Sequence, residues 1–352
     1  MAEKGSSLFD TARIADEAVR ITGYHGGPDA VLPADIDGLP VREISREAFS
    51  GQKELRSVSL PEGLQVIRTG AFADCVSLET LTLPASVNRV EDGAFVRCVS
   101  LKSIRVAEGN SVYRSLDGVL FDRRGKLLCC YPAGKEDMAY EIPLGVSAIA
   151  AQAFNWCQAL REVMIPPGLT WIGDNAFAYC VQLKGIDIPK GVTEIGERAF
   201  LGCGRMTEAK MPGTLTALGA EAFAGCGQLT NVVVSCLVTR LEDGTFRDCS
   251  SLPAIELSES LTDISYAVFS GCSSLKEINL PVRLERIGDE AFRNCIELRT
   301  LEIPASVNRV GKNAFKGCKR LTVYAERGSA GFLAAKHCRV RRRSTGRAKL
   351  RS

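Results

Sequence analysis

Phenylalanine recurs in this chain at a spacing of 23 residues, and that periodicity limits the fold more than any other feature. Phe49, Phe72 and Phe95 share the register, and so do Phe154, Phe177, Phe200, Phe223, Phe246, Phe269, Phe292 and Phe315. The one interruption, 59 residues between Phe95 and Phe154, equals one period plus 36. A 23-residue unit cannot bury an apolar face by itself, so consecutive units must stack and cover one another. The 352 residues, which would otherwise suggest two or three globular domains, are therefore expected to form one elongated array.

Other positions keep the same register. A small residue precedes most of the phenylalanines (Ala71, Ala94, Ala176, Ala291), with Thr245 and Val268 departing. Cysteine follows three residues later in ten units, from Cys75 and Cys98 through Cys157, Cys180, Cys203, Cys226, Cys249, Cys272 and Cys295 to Cys318, whereas Gln52 takes that place in the first. Three further on stands leucine, as in Leu78, Leu183 and Leu298, with Met206 the exception. Two apolar residues separated by one come next, such as Leu81 and Leu83 or Ile186 and Ile188, and a proline usually follows. The apolar pair predicts a short strand with both side chains facing inward; proline, having no N–H to donate, ends its ladder. The segment around each phenylalanine spaces its apolar residues by three or four, which suits one helical or 3₁₀ turn on the opposite side of the coil.

The unit L-x-x-I-x-L-P-x-x-V-x-x-I-G-x-x-A-F-x-x-C resembles the BspA-like class of leucine-rich repeats over roughly residues 19–340. The resemblance implies a leucine-rich-repeat solenoid, a right-handed stack of coils with a parallel β-sheet on one side and short helical or 3₁₀ turns on the other. Residues 19–49 resemble an opening cap and 321–340 a closing cap of strand, short helix and strand. Repeats are expected over 50–106 and 141–320. The stretch 107–140 resembles a β-hairpin insert with its turn at Arg123-Arg124-Gly125. Residues 1–18 and 341–352 are expected to be poorly ordered.

Charge is uneven. The chain carries +3, but Arg339 to Ser352 holds seven basic residues and no acid; without them 37 bases face 41 acids and the body carries −4. Bulk charge thus gives no nucleic-acid-binding surface on the body, although the tail could attract nucleic acid or an acidic partner. No run of 18 apolar residues suggests a transmembrane helix, and the opening MAEKGSSLFDTA lacks the apolar stretch of a signal peptide. With unpaired cysteines, this favours a cytoplasmic setting; the family resemblance allows a cell-surface or secreted one.

Little in the sequence supports catalysis or metal chemistry. Stacked equivalent cysteines point in parallel about 4.8 Å apart, poor geometry for disulfides. There is no C-x-x-C or H-x-x-x-H, and His25 and His337 stand near opposite ends of the stack. The ladder cysteines are read as small buried hydrophobes, and Cys129, Cys130, Cys236 and Cys338, off the ladder, as better candidates for reactivity. No nucleophile elbow or phosphate loop is present, so the expectation is a chain that is not an enzyme and takes no cofactor, metal or small-molecule substrate.

What remains is a surface. The residues between the inward apolar pairs form two outward columns. In the early units they are hydroxyl-rich (Ser57, Ser59, Thr80, Thr82); in the later ones Glu162, Asp187, Glu208, Glu256, Glu277 and Glu302 stand against the single base Lys210. The expected function is recognition of a basic or polar protein partner through this strand face, with those six acids as its contacts. A BspA-like surface adhesin is the alternative that the resemblance implies.

Overall fold

The structure is a computed structural model that describes residues 8–15, 17–235, 237–335 and 339–342. Each 23-residue unit is one coil, and neighbouring coils are joined by backbone hydrogen bonds along three rows. The first row is the expected one: Ser57–Ser59, Thr80–Leu83 and Ser103–Val106 pair in parallel, as do Glu208–Lys210 and its neighbours Gly185–Asp187 and Asn231–Val233. A second parallel row runs through the aliphatic residues after each proline, from Val66–Ile67 and Arg89–Val90 to Arg286–Ile287 and Arg309–Val310. In the third row the N–H of a phenylalanine donates to the carbonyl of the residue before the next phenylalanine, as from Phe72 to Ala94 at 2.9 Å and from Phe154 to Ala176 at 2.7 Å.

The turn side carries i→i+3 bonds of the 3₁₀ type, such as Ala73 N to Gly70 O and Cys75 N to Phe72 O, yet it forms no helix. The reason is local. In all eleven phenylalanine units the residues two before and two after the ring have positive φ, for example Glu47 and Gly51, Gly70 and Asp74, Asn175 and Tyr179, and Glu290 and Asn294. A left-handed residue breaks a right-handed helix, so each coil turns two corners there. Glycine fills only some of these corners; where Glu47, with φ 58°, or Arg198, with φ 56°, stands instead, the stacked neighbours hold a conformation that costs roughly 1–2 kcal/mol.

The core is a file of rings. Tyr24, Phe49, Phe72 and Phe95 stack face to face at 5.0–5.8 Å. Phe154 to Phe315 continue at 4.7–6.0 Å with planes within 21°. Tyr131, one period before Phe154, takes the ring position in the interrupted unit and stacks on Phe154 at 5.1 Å. Ladder cysteines and leucines pack around the rings, almost all of them fully buried.

The ends and the insert differ from the sequence expectation. Phe9–Ile14, placed above in a poorly ordered segment, pairs antiparallel with Ala18–Tyr24. Phe9 lies 5.3 Å from Tyr24 and 6.4 Å from Phe49 and covers the first ring of the file among the described residues. At the other end the helix Ala330–Ala334 is capped by Ser329, which accepts from the Phe332 N–H. The closing strand runs to Arg342, two residues past the expected boundary; the rest of the basic tail lies outside the described residues.

The insert holds three strands, Tyr113–Leu116, Val119–Asp122 and Leu127–Cys130. The expected turn at Arg123-Arg124-Gly125 joins the last two, closed by Asp122 Oδ1, which accepts from the N–H groups of Lys126 and Leu127. A second hairpin turns at Asp117-Gly118, both with positive φ, the backbone of a type I′ turn. Leu127–Cys130 then joins the second row beside Ala148–Ile149. Ala139–Glu141, placed above largely within the insert, is a first-row strand paired with Glu162–Met164. Val119–Asp122 is a wall between two buried clusters: Leu120 packs into the N-terminal one, Val119 and Phe121 into the C-terminal one.

Two stability changes follow from this architecture. Phe223 is fully buried between Phe200 at 5.0 Å and Phe246 at 5.8 Å, so Phe223→Ala should cost about 3–5 kcal/mol and loosen the coupling of the two halves. Chemical denaturation followed by probes in both halves reads it, and an unchanged midpoint would contradict the packing. Conversely, Glu47→Gly removes a left-handed side chain at an exposed corner and should raise stability by about 1 kcal/mol; a lower midpoint would show that the corner carries no strain.

Candidate functional site

The first row is what the stack presents to solvent as a regular surface. Along it Glu162, Asp187, Glu256, Glu277 and Glu302 are exposed and Glu208 half-buried. The register separates them into two columns. Glu208 pairs with Gly185 and Asn231, while Asp187 pairs with Lys210, and Lys210 with Val233. The six acids therefore alternate between columns, with small, amide and apolar residues between them, and form no continuous acidic stripe. Glu141, in the first-row strand Ala139–Glu141, adds an exposed acid to the second column.

The structure brings bases to the same face. In most coils the residue just before the strand position is exposed, and in several it is Arg or Lys, as at Arg161, Lys184, Lys276 and Arg299. Arg161 and Lys184 line one groove with Glu162, Asp187, Glu208 and Lys210. A second groove is lined by Glu277, Asn279, Val282, Thr300, Glu302 and Tyr324. The face is thus mixed in charge, because the fold places the position before the strand at its margin. Counted in the columns alone, the later coils hold six acids, Glu162, Asp187, Glu208, Glu256, Glu277 and Glu302, against Lys210.

The row is also uneven. Pro253 stands where other coils offer an N–H, such as Lys184 to Arg161 O and Thr230 to Thr207 O. The next segment joins its neighbour through a single bridge, Val233 to Glu256. Glu256 and Glu277 lie on this opened stretch, outside the regular strands.

A sequence model described as BspA type leucine rich repeat region matches residues 38–117, 138–253 and 239–325. The chain belongs to this family. No curated protein matches it. Solved structures share the fold of this BspA-type chain. A leucine-rich repeat protein from Bacteroides ovatus is 23% identical, with 95% of this chain and 88% of that one covered and a TM-score of 0.54. One from Eubacterium ventriosum is 19% identical, with 89% and 93% covered and a TM-score of 0.55. A leucine rich cell surface protein from Faecalibacterium prausnitzii is 20% identical, with 95% and 92% covered and a TM-score of 0.51. The family is one of scaffolds, commonly protein-binding or surface proteins. Among the described residues no helix is long and apolar enough to cross a membrane.

In this BspA-type stack several titratable groups outside the strand face are tied to structure. Arg68 binds Glu43 at 2.7 Å and Glu91 at 2.9 Å, linking three successive coils. Glu221 similarly holds Arg198 at 2.5 Å and Arg247 at 2.6 Å. His25 Nε2 meets Asp10 Oδ2 at 2.7 Å in the opening cap; His337, Cys236 and Cys338 lie outside the described residues.

All ten ladder thiols share one kind of partner. Each Sγ donates to the carbonyl of the ring residue in the preceding coil, from Cys75 to Phe49 at 3.1 Å through Cys226 to Phe200 at 3.3 Å to Cys318 to Phe292 at 2.9 Å; only Cys157 to Tyr131 is long, at 3.7 Å. That carbonyl already accepts an N–H of its own coil, as Phe72 O does from Cys75, so the thiol uses its second lone pair. Burial pushes the thiols of Cys75, Cys226 and Cys272 up to about 12. The off-ladder pair is no more reactive in character: Cys129 and Cys130 are half-buried, and burial pushes Cys130 up to about 12 as well and raises Cys129. All twelve cysteines among the described residues are free.

These thiols generate a pH signature. For Cys75, Cys130, Cys226 and Cys272 the folded-state pKa lies above the ordinary value near 8.5, so their stabilisation is complete below about pH 8.5 and is lost as pH rises from there toward 12; Cys318, hydrogen-bonded to Cys295, is shifted the other way. The denaturation midpoint should fall over that window, less steeply in Cys226→Ser. Thiol titration at neutral pH should find few reactive groups in the folded chain and nearly all after denaturation. Ten thiols still missing after denaturation would mean disulfides and overturn this reading.

Proposed function

We propose that the chain is a non-catalytic scaffold that recognises a protein partner through the outward face of the first strand row. The observation that carries the reading is the division of labour within the coil. Rings, cysteines and leucines are held by the core, whereas two residues per strand face solvent on a regular lattice and differ from coil to coil, as Glu162 and Met164, Asp187, Glu208 and Lys210, and Asn231 and Val233 do. Interleaved acids and bases fit a polar partner of mixed charge, drawn by complementarity more than by net attraction. Exposed Met164, Val233 and Val282 supply the apolar contacts beside them.

A second reading, display as an adhesin at a cell surface, draws on the family and on the Faecalibacterium neighbour, whose name calls it a cell surface protein. Protease shaving of intact cells separates the two: release of peptides from this chain favours display, and their absence favours an internal scaffold.

The strand face is tested with a partner isolated by pull-down with the full chain. Glu208→Lys, Glu256→Lys and Glu277→Lys together should weaken binding by roughly tenfold or more, chiefly through slower association and a changed salt dependence. Glu194→Lys, exposed on the second row, should leave it unaltered. Glu221 is unsuitable as a control because its reversal would break the links to Arg198 and Arg247. Equal effects from the two sets would remove the strand face as the binding site.

A further inference from the structure

The file of rings is interrupted once, and the interruption is a cavity. Interior rings such as Phe72, Phe177 and Phe223 are fully covered by the ring on either side, but Phe95 is 6% exposed, as is Phe315 at the C-terminal end of the file. Among the described residues Phe95 has one ring neighbour, Phe72 at 5.8 Å. The next ring in phase, Tyr131, stacks away from it on Phe154 and meets Tyr140 edge-on at 4.8 Å. The insert strand Val119–Asp122 has been driven between the two halves, and the space beside Phe95 remains as a cavity of about 230 Å³. Its walls include Phe95, Leu101, Leu120, Ala133, Tyr131 and Asn155.

Asn155 is a second and independent sign. It follows Phe154 directly, and the other buried residues at that place in the coil are alanines, Ala73, Ala178 and Ala224. Asn155 is only 8% exposed, and its Oδ1 accepts no hydrogen bond. A buried amide oxygen left without a donor costs about 1–3 kcal/mol, and here it stands in the wall of the cavity that the missing ring leaves. Exposed Asp92 and half-buried Gln152 belong to the same lining and give the opening a polar margin.

We propose that this gap in the ring file is a binding site for a small planar aromatic molecule bearing an N–H donor. The ring would occupy the place of the absent stacking partner on Phe95, and the N–H would satisfy Asn155 Oδ1. The volume suits a bicyclic ring, since a dry cavity of about 150 Å³ already holds benzene. The lining carries three carboxylates, Glu91, Asp92 and Asp122, and no Lys or Arg, which selects against an anionic ring, and the site is independent of the strand face.

The test is calorimetric titration of the full chain with indole and with benzofuran, which has the same shape but no N–H. Indole should bind saturably at one site and benzofuran roughly tenfold more weakly. In Asn155→Leu that difference should vanish. Ala133→Leu, which fills the cavity from a half-buried wall position, should abolish binding of both. The comparison of the two ligands on the unaltered chain stands even if a variant fails to fold. No saturable binding of indole up to its solubility limit would mean that the cavity holds water only and would overturn the proposal. So would equal affinity for the two ligands, or binding that survives Ala133→Leu.

Discussion

Everything in this molecule depends on the registry between one coil and the next, and the contact that sets it is the stack of phenylalanine rings together with the thiol beside them. A ring of one coil can cover that of the next only at the separation that also suits the backbone bonds of all three rows. The cysteine adds direction to this otherwise non-directional packing, because its Sγ reaches back to the carbonyl of the preceding ring residue. Apolar burial supplies most of the stabilisation, and the thiol-to-carbonyl contact, a weak one, helps to fix which atoms face one another.

From that registry follow the strained corners. Two left-handed residues per coil would be costly in an isolated peptide, yet they recur in every phenylalanine unit, often without glycine. Each corner is held because the residues on both sides of it are bonded to neighbouring coils. Polar side chains at these corners also tie coils together, as Glu221 does with Arg198 and Arg247. Charged residues that look in the sequence like a free surface are thus partly structural, and the surface left for recognition is narrower than the charge count suggests.

The insert shows what happens where the registry is interrupted. Three strands enter between Phe95 and Tyr131, and both strand rows stop and restart there. Alternation along Val119, Leu120 and Phe121 lets one strand serve two cores. The ring file does not close across the wall, and the cavity beside Phe95 is the outcome of that geometry.

The 23-residue spacing, the buried ring, cysteine and leucine positions, the first strand row and the repeat family were all legible in the sequence, since each rests on periodic burial, which a one-dimensional pattern records. Two Asp-Gly turns, at Asp37-Gly38 and Asp117-Gly118, and the ring phase of Tyr131 were also there to be found, by turn chemistry and by counting back 23 from Phe154. Only the tertiary structure decided the rest. The second strand row is two residues per coil and too short for an alternation signal. Phe9 becomes a cap by covering the first ring of the file among the described residues. Arg161 and Lys184 join the acidic columns through the bend at the strand margin, and Asn155 faces a cavity whose other walls come from residues as distant in sequence as Phe95. A pattern along the chain records how deeply a residue is buried, but not what stands opposite it, and both the charge of the strand face and the gap in the ring file depend on what stands opposite.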